Sequence, residues 1–313
     1  MRILYIDPDA NPDIQKKYIY YYGLPAAMAD QGSQVTLVGS VSSPNFSTIN
    51  ANFDAVVYGL GWFNRLEYTD HSGITLPKVA YAFKPQSNLE KKLTFCKVSE
   101  VDCVYSSVPL VVDSARKIGL HTKILPYGHF DDIFYDRGLK KEYTLGFSGA
   151  LHEYNFYPDG SFANPSIRTK IRDIVLSSID NRQVFWNGSD SVSDRIESYD
   201  EYALTIGRSK SWVATLAAFG DVTPRYFEVL ASGTVLLAEE PGEGYEDIFR
   251  DGDNCLLFKS DLSDFNEKLS IILNDSDRVL DIIKSANRDI EMHTWKKRAT
   301  SVLGFLKSMR GFE

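Results

Sequence analysis

Short apolar runs alternate along this chain with longer stretches in which apolar residues recur every third or fourth position. The first pattern is that of a strand buried on both faces, the second that of an amphipathic helix. Strands are expected at 2–7, 34–39, 55–59, 78–83, 103–106 and 122–126, and helices at 13–30 and 109–118. Gly32 and Gly119 mark the stops of those helices. Tyr127 to Glu142 (YGHFDDIFYDRGLKKE) is polar, rich in aspartate and lysine, and without period, so it reads as a linker. The alternation then resumes, with strands expected at 143–148, 183–187, 211–217, 234–237 and 255–258. Helices are expected at 165–179, 224–231, 262–273, 278–292 and 296–309.

Strands separated by helices imply parallel sheets covered on both faces. The fold class expected is therefore α/β, with two Rossmann-like parallel-sheet domains facing a cleft. Residues 1–126 form the first, 127–142 the linker and 143–295 the second; the last helix, 296–313, is expected to pack back on the first. Open parallel sheets bind ligands beyond the carboxyl ends of their strands, which makes residues just after each strand the site candidates.

Composition narrows the picture only a little. A chain of 313 residues suits two domains. The net charge of -8 argues against nucleic acid as a partner but leaves room for a local phosphate site. Cys96, Cys103 and Cys255 are odd in number and contain no CxxC, the pattern of buried thiols in a reducing compartment. The opening MRILYID is too short for a signal peptide, and no run reaches the roughly 18 apolar residues of a membrane span. The expected location is cytoplasmic. The basic last helix (Lys296, Lys297, Arg298, Lys307, Arg310) allows peripheral membrane contact as the alternative to packing on the first domain.

The densest chemistry lies in 221–258, DVTPRYFEVLASGTVLLAEEPGEGYEDIFRDGDNCLLF. Thr223 is a good N-cap and Pro224 sits well at the first helical position. The helix start offers free N–H groups and the positive dipole end to a phosphate. Arg225 adds a bidentate donor suited to a diphosphate, and Glu228 suits the hydroxyls of a ribose or sugar. The plain alternative is a surface ion pair between Arg225 and Glu228, three residues apart.

The run from Phe227 to Phe258 resembles the donor-binding segment of family-4-like GT-B glycosyltransferases. TPRYFE followed by ASG is more similar still to the spore-maturation-protein group, whose late HT...R element is matched by His293, Thr294 and Arg298. ILPYGHFDDIFY (124–135) resembles the segment between the domains in that family, and YTLGFSGALHEY (143–154) the opening strand and turn of its donor domain. The resemblance implies that Glu228 contacts the donor ribose and Arg225 the diphosphate. The family's first glutamate falls eight residues before Glu228, where this chain has Gly220; Asp221 stands beside it at a different spacing. Ser148 and Gly149 match the turn that lets phosphate or sugar approach the backbone, and Asn187 and Gly188 the place of the base. Thr223, Pro224 and Tyr226 complete the donor set; Arg168 and Arg172 stand in for the family's basic residues, and Glu246 for its donor-loop glutamate.

Asp7 and Asp9 form a DPD after the first strand, which reads as turn residues rather than a metal-binding DxD. No essential metal and no cofactor are expected. Asp7, Lys84 and Trp62 are the acceptor-side candidates. Lys210 precedes its strand and reads as structural, and His293, at a helix junction, as a capping or hinge residue. The expected reaction moves a sugar from a nucleoside-diphosphate sugar to a hydroxyl acceptor, a glycan, lipid-linked or small molecule, with retention implied by the family. Gly220 keeps open a non-catalytic nucleotide-sugar or glycan-binding relative, and a GT-B epimerase shares the phosphate site. A dinucleotide enzyme fits less well, because no GxGxxG follows the first strand.

Overall fold

Every expected strand forms, with its ends within three residues of the reading. The computed structural model describes residues 1–7, 19–39, 45–61, 70–151, 167–189, 196 and 198–310. Two units divide the chain: Met1–Gly128 with Trp295–Glu313, and His129–Thr294.

The first unit carries Arg2–Ile6 (β1), Gln34–Val38 (β2), Ala55–Leu60 (β3), Lys78–Ala82 (β4), Cys103–Ser106 (β5) and Thr122–Ile124 (β6). They pair in parallel in the order β2-β1-β3-β4-β5-β6. Its helices are Ile19–Asp30 (α1), Phe46–Asn52 (α2), Leu89–Val98 (α3) and Pro109–Lys117 (α4). The β3 and β4 strands are buried at every position, as two-sided cover requires. Ile6, Val56, Tyr58, Ala80, Phe95 and Val104 lie in the core on one side of this sheet.

The second unit carries Tyr143–Gly149 (β7), Val184–Gly188 (β8), Ser209–Ala214 (β9), Val235–Glu239 (β10) and Leu256–Phe258 (β11). These are again parallel, in the order β11-β10-β9-β7-β8. Its helices are Ile167–Ser178 (α5), Tyr199–Gly207 (α6), Pro224–Ala231 (α7), Phe265–Asn274 (α8) and Ser276–Ile290 (α9). Trp295–Arg310 (α10) belongs to the first unit and runs along α1. There the Gln31 amide donates to the Lys296 carbonyl (2.7 Å), Thr300 Oγ1 donates to Gln31 Oε1 (3.0 Å), and Trp295 lies against Gly23. No helix among the described residues is long and apolar enough to cross a membrane. Cys96, Cys103 and Cys255 are free and buried.

Three helices, α2, α3 and α6, go beyond the elements expected from periodicity. Two are short, and α3 (LEKKLTFCKV) mixes charge into its apolar face. The stretch at 127–142 also differs from a free connector. Residues 129–142 are bound into the second unit, where Phe134 is 1% exposed and packs on Tyr199 and Tyr202. Lys141 Nζ donates to the carbonyls of Gly207 (2.8 Å) and Gly233 (2.7 Å) and to Thr234 Oγ1 (3.2 Å). One ammonium thus caps the carboxyl ends of α6 and α7, where carbonyls lack helical partners. Burial pushes this lysine down to about 8, against the pull of Asp136. Lys141→Met strands those acceptors and is expected to lower the unfolding free energy by about 1–3 kcal/mol. Urea denaturation measures it, and unchanged stability would show that the cap is idle.

Candidate functional site

The site is assembled at the carboxyl end of the second sheet, where β7, α6 and α7 meet. Thr223 takes an extended conformation (φ -75°, ψ 157°) and Pro224 opens α7, as the sequence expects. The expected side-chain cap is absent: Thr223 Oγ1 is buried and makes no hydrogen bond. One turn of α7 carries the two charges. Arg225 is half-buried, and Glu228 is 6% exposed.

The surface ion pair set out as the plain alternative does not form, because Glu228 is inside the protein. The arginine engages a phenol instead: Arg225 Nε donates to the Tyr202 hydroxyl at 2.9 Å, with Glu228 and Ser148 nearby. Rings of Phe134, Tyr199 and Trp212 fix Tyr202 edge-on, with centroids 5.9, 6.2 and 5.9 Å away. Among the described residues, the terminal nitrogens of Arg225 have no hydrogen-bond partner. They lie over Gly149 (φ +147°), where a Cβ would come within 3.3 and 3.6 Å of them. Glycine there supplies both the backbone conformation and the room for the guanidinium.

Burial sets the electrostatics. It pushes the Glu228 carboxyl up to about 7, opposed by the Arg225 charge and the Tyr202 hydrogen bond. It pushes the Tyr202 phenol up to about 12, opposed chiefly by Arg225. Burial works against the charge of Arg225, but Tyr202 and Glu228 hold it above the usual arginine range. The pocket therefore presents a fixed cation beside a carboxyl poised near neutrality, at a helix start that favours anions.

Other expected residues fall in several places. Ser148 and Gly149 end β7 and pair in register with Asn187 and Gly188, which end β8. Asn187 and Gly188 line, with Trp186, an open depression of about 500 Å³ along the β8 edge of the sheet. Gly220 is left-handed (φ +71°) with open space where a side chain would stand. Asp221 is 7% exposed, and its carbonyl accepts from Ala217 N (2.8 Å), closing the loop after β9. Tyr226 departs from the expectation of a donor contact. It is wholly buried, and its hydroxyl donates to the Glu239 carbonyl at 2.7 Å, so it is spent on the sheet. Arg168 lies at the site's edge, donating to Ala150 O and Thr215 Oγ1, both at 2.7 Å. Arg172 instead pairs with Asp173 on the surface. Glu246 Oε2 accepts from Gly244 N (2.8 Å) and shapes its turn.

In the first unit, Asp7, the acceptor-side candidate after β1, is 1% exposed and packs against Gly59, where a Cβ would fall 1.8 Å from Oδ2. Lys84 has a left-handed backbone (φ 55°), and its carbonyl accepts from Lys92 Nζ (2.8 Å). Buried Lys92 also donates to the carbonyls of Gly61 and Phe83 (2.6 and 2.7 Å), tying the ends of β3 and β4. Trp62 and Asp9 lie outside the described residues. Lys210, expected to precede its strand, is the second residue of β9 and donates to the Ile272 carbonyl near the end of α8. The His293 carbonyl accepts from His129 N (3.1 Å), and Arg298 donates to the Pro126 carbonyl (3.0 Å), so the HT...R element serves the backbone. Tyr202 is the site residue that sequence reasoning missed. Ser198 and Glu201, spaced as a capping box before an apolar run, were the available signal. Ser198 Oγ indeed accepts from Glu201 N at 3.0 Å.

The two parallel sheets have the architecture of GT-B proteins. Residues 171–304 match the model of a glycosyl transferase-like family. No curated protein matches the chain by sequence. Among solved structures, it is similar to sucrose-phosphate synthase from Thermosynechococcus elongatus, with TM-score 0.64, 14% identity and all of both chains covered. It is also similar to Anabaena HepE, solved with UDP-glucose, with TM-score 0.62, 11% identity, and 98% of this chain and 100% of that one covered. A DNA-modifying β-glucosyltransferase, solved with and without uridine diphosphoglucose, has TM-score 0.54 and 11% identity, with 100% and 99% covered. At these identities the likeness establishes the fold.

Glu228 gives the site a pH signature. Its folded pKa of about 7 lies above the ordinary 4.5, so the folded state binds the extra proton between those values. The resulting stability is fully present below the ordinary value and is lost as pH rises through about 7. Glu228→Gln removes this dependence. Between pH 4.5 and pH 8 the variant is expected to gain about 3 kcal/mol relative to the wild type in urea unfolding. Parallel pH profiles would show that Glu228 titrates as an ordinary carboxylate.

Proposed function

We propose that this protein is a glycosyltransferase that moves a sugar from a nucleoside-diphosphate donor, a UDP sugar first among them, to a hydroxyl acceptor. The observation that carries the reading is the Arg225 fork, held at Nε and, among the described residues, without hydrogen-bond partners at its terminal nitrogens, above Gly149 and at the start of α7. Two parallel N–H groups match a diphosphate. The helix start adds donors to the same anion, beside a Thr223 hydroxyl that is buried and unpaired among the described residues. Glu228, one turn deeper, takes the hydroxyls of the donor ribose, and Asn187 and Gly188 receive the base. The family match over 171–304 and the UDP-glucose bound by HepE support this choice of donor.

Breaking the glycosidic bond builds negative charge on the leaving diphosphate. Arg225 and the amino end of α7 are fixed before the reaction and meet that charge as it forms. We read the reaction as independent of a divalent metal, since this chain supplies the positive charge itself, and as retaining, in line with the family resemblance. The acceptor is a glycan, a lipid-linked hydroxyl or a small molecule. Three buried free thiols suit a reducing compartment, and we place the reaction in the cytoplasm. The TPRYFE run sets the chain, in our reading, beside the spore-maturation-type enzymes.

A second reading keeps the donor and drops the transfer. It draws on Gly220, where the family's first glutamate is replaced by a residue with no side chain. A thermal-shift screen of UDP, GDP, dTDP and CMP sugars, followed by assay of donor turnover, separates the two. Stabilisation by one donor with turnover supports the enzyme; stabilisation without hydrolysis or transfer supports the binder. Arg225→Ala is expected to reduce turnover of the donor by roughly a hundredfold or more with little change in melting temperature. Equal rate and affinity in the variant would remove the assignment. EDTA is expected to leave turnover intact, and a loss reversed by manganese would contradict the metal-independent reading.

A further inference from the structure

Tyr202 is assigned no role by the reading above, yet it accepts a hydrogen bond from the arginine on which that reading rests. A phenol has two lone pairs and one proton. The Arg225 Nε–H occupies one lone pair at 2.9 Å, with Ser148 and Glu228 near the same oxygen. That hydrogen bond joins α6 to α7. We propose that Tyr202 is a positioning residue: by holding Arg225 at Nε it fixes the plane of the guanidinium so that both terminal nitrogens face a diphosphate over Gly149. This rests on the donor reading above.

The physical case lies in what an arginine does without that bond. Its long side chain has about 2 kcal/mol of rotamer freedom to lose on binding an anion. A hydrogen bond at Nε removes much of that freedom in advance and sets the fork's roll, which a charge alone does not set. The phenol can do this because it is itself fixed: half-buried, with Phe134, Tyr199 and Trp212 edge-on around it. It also keeps Arg225 from closing directly on Glu228, which would spend the terminal nitrogens on the protein. Tyr202 thus holds apart two opposite charges that a ligand needs separately.

Tyr202→Phe keeps the ring and removes the oxygen. In calorimetric titration of the full-length protein with UDP, the variant is expected to bind roughly tenfold to a hundredfold more weakly, the range for losing one charged hydrogen bond. Uridine, which has no phosphate, is expected to compete equally well on both proteins, a split that a general loosening of the site would not produce. Arg225→Lys keeps the charge but lacks both Nε and the fork, so it is expected to lose at least as much as Tyr202→Phe, and the double variant little more than Arg225→Lys. UDP binding by Tyr202→Phe at wild-type affinity, equal weakening of UDP and uridine, or additive losses in the double variant would each overturn the proposal. Should Tyr202→Phe fail to fold, Arg225→Lys decides alone: wild-type affinity for UDP in that variant contradicts the role. Failure of the wild type to bind UDP would remove the donor reading and this inference together. Wild-type binding with an unmoved Tyr202→Phe removes only the latter.

Discussion

The constraint on which the candidate site depends is the placement of a half-buried cation and a buried carboxyl on one turn of α7, the cation held by a phenol. A buried charge is expensive unless hydrogen bonds replace the water it loses. Glu228, at 6% exposure, keeps part of that cost, which is why its carboxyl is pushed towards neutrality. Arg225 keeps its charge because Tyr202 accepts from Nε. Among the described residues its terminal nitrogens have no hydrogen-bond partner, and they are not among the buried polar atoms that lack one, so they stay open to water or to an anion.

The scaffold explains how so small a cluster is held in place. Parallel strands bring the ends of β7 and β8 level, so Ser148 stands beside Asn187 and Gly149 beside Gly188. Apolar residues of the sheet, including Phe147, Val213 and Leu237, anchor that edge from below. Lys141 ties the carboxyl ends of α6 and α7 together, the two helices that deliver Tyr202 and Arg225. A stretch that looks like a connector in the sequence is therefore part of the platform. Its polarity reflects the backbone groups it satisfies.

The strands were legible because two-sided burial writes itself as uninterrupted apolar runs, as in AVVYG and KVAYA. Thr223, Pro224 and Arg225 were legible because a cap, a first-turn proline and a cation have local signatures. Tyr202 was not, since its importance arises from α6 meeting α7, a contact between residues 23 apart in sequence. Tyr226 shows the converse. Its place in the motif suggested the site, but helical periodicity turned it inward onto Glu239. Asp7 likewise sits where the strand-end rule points and is nevertheless buried against Gly59. The rule selects positions, and packing decides which side chains at those positions remain available.

The most direct measurement is a crystal structure of the protein with UDP bound. The account predicts the diphosphate over Gly149, both terminal nitrogens of Arg225 on its oxygens, and the ribose hydroxyls on Glu228. A diphosphate bound elsewhere, with the Arg225 fork turned onto Glu228, would contradict it.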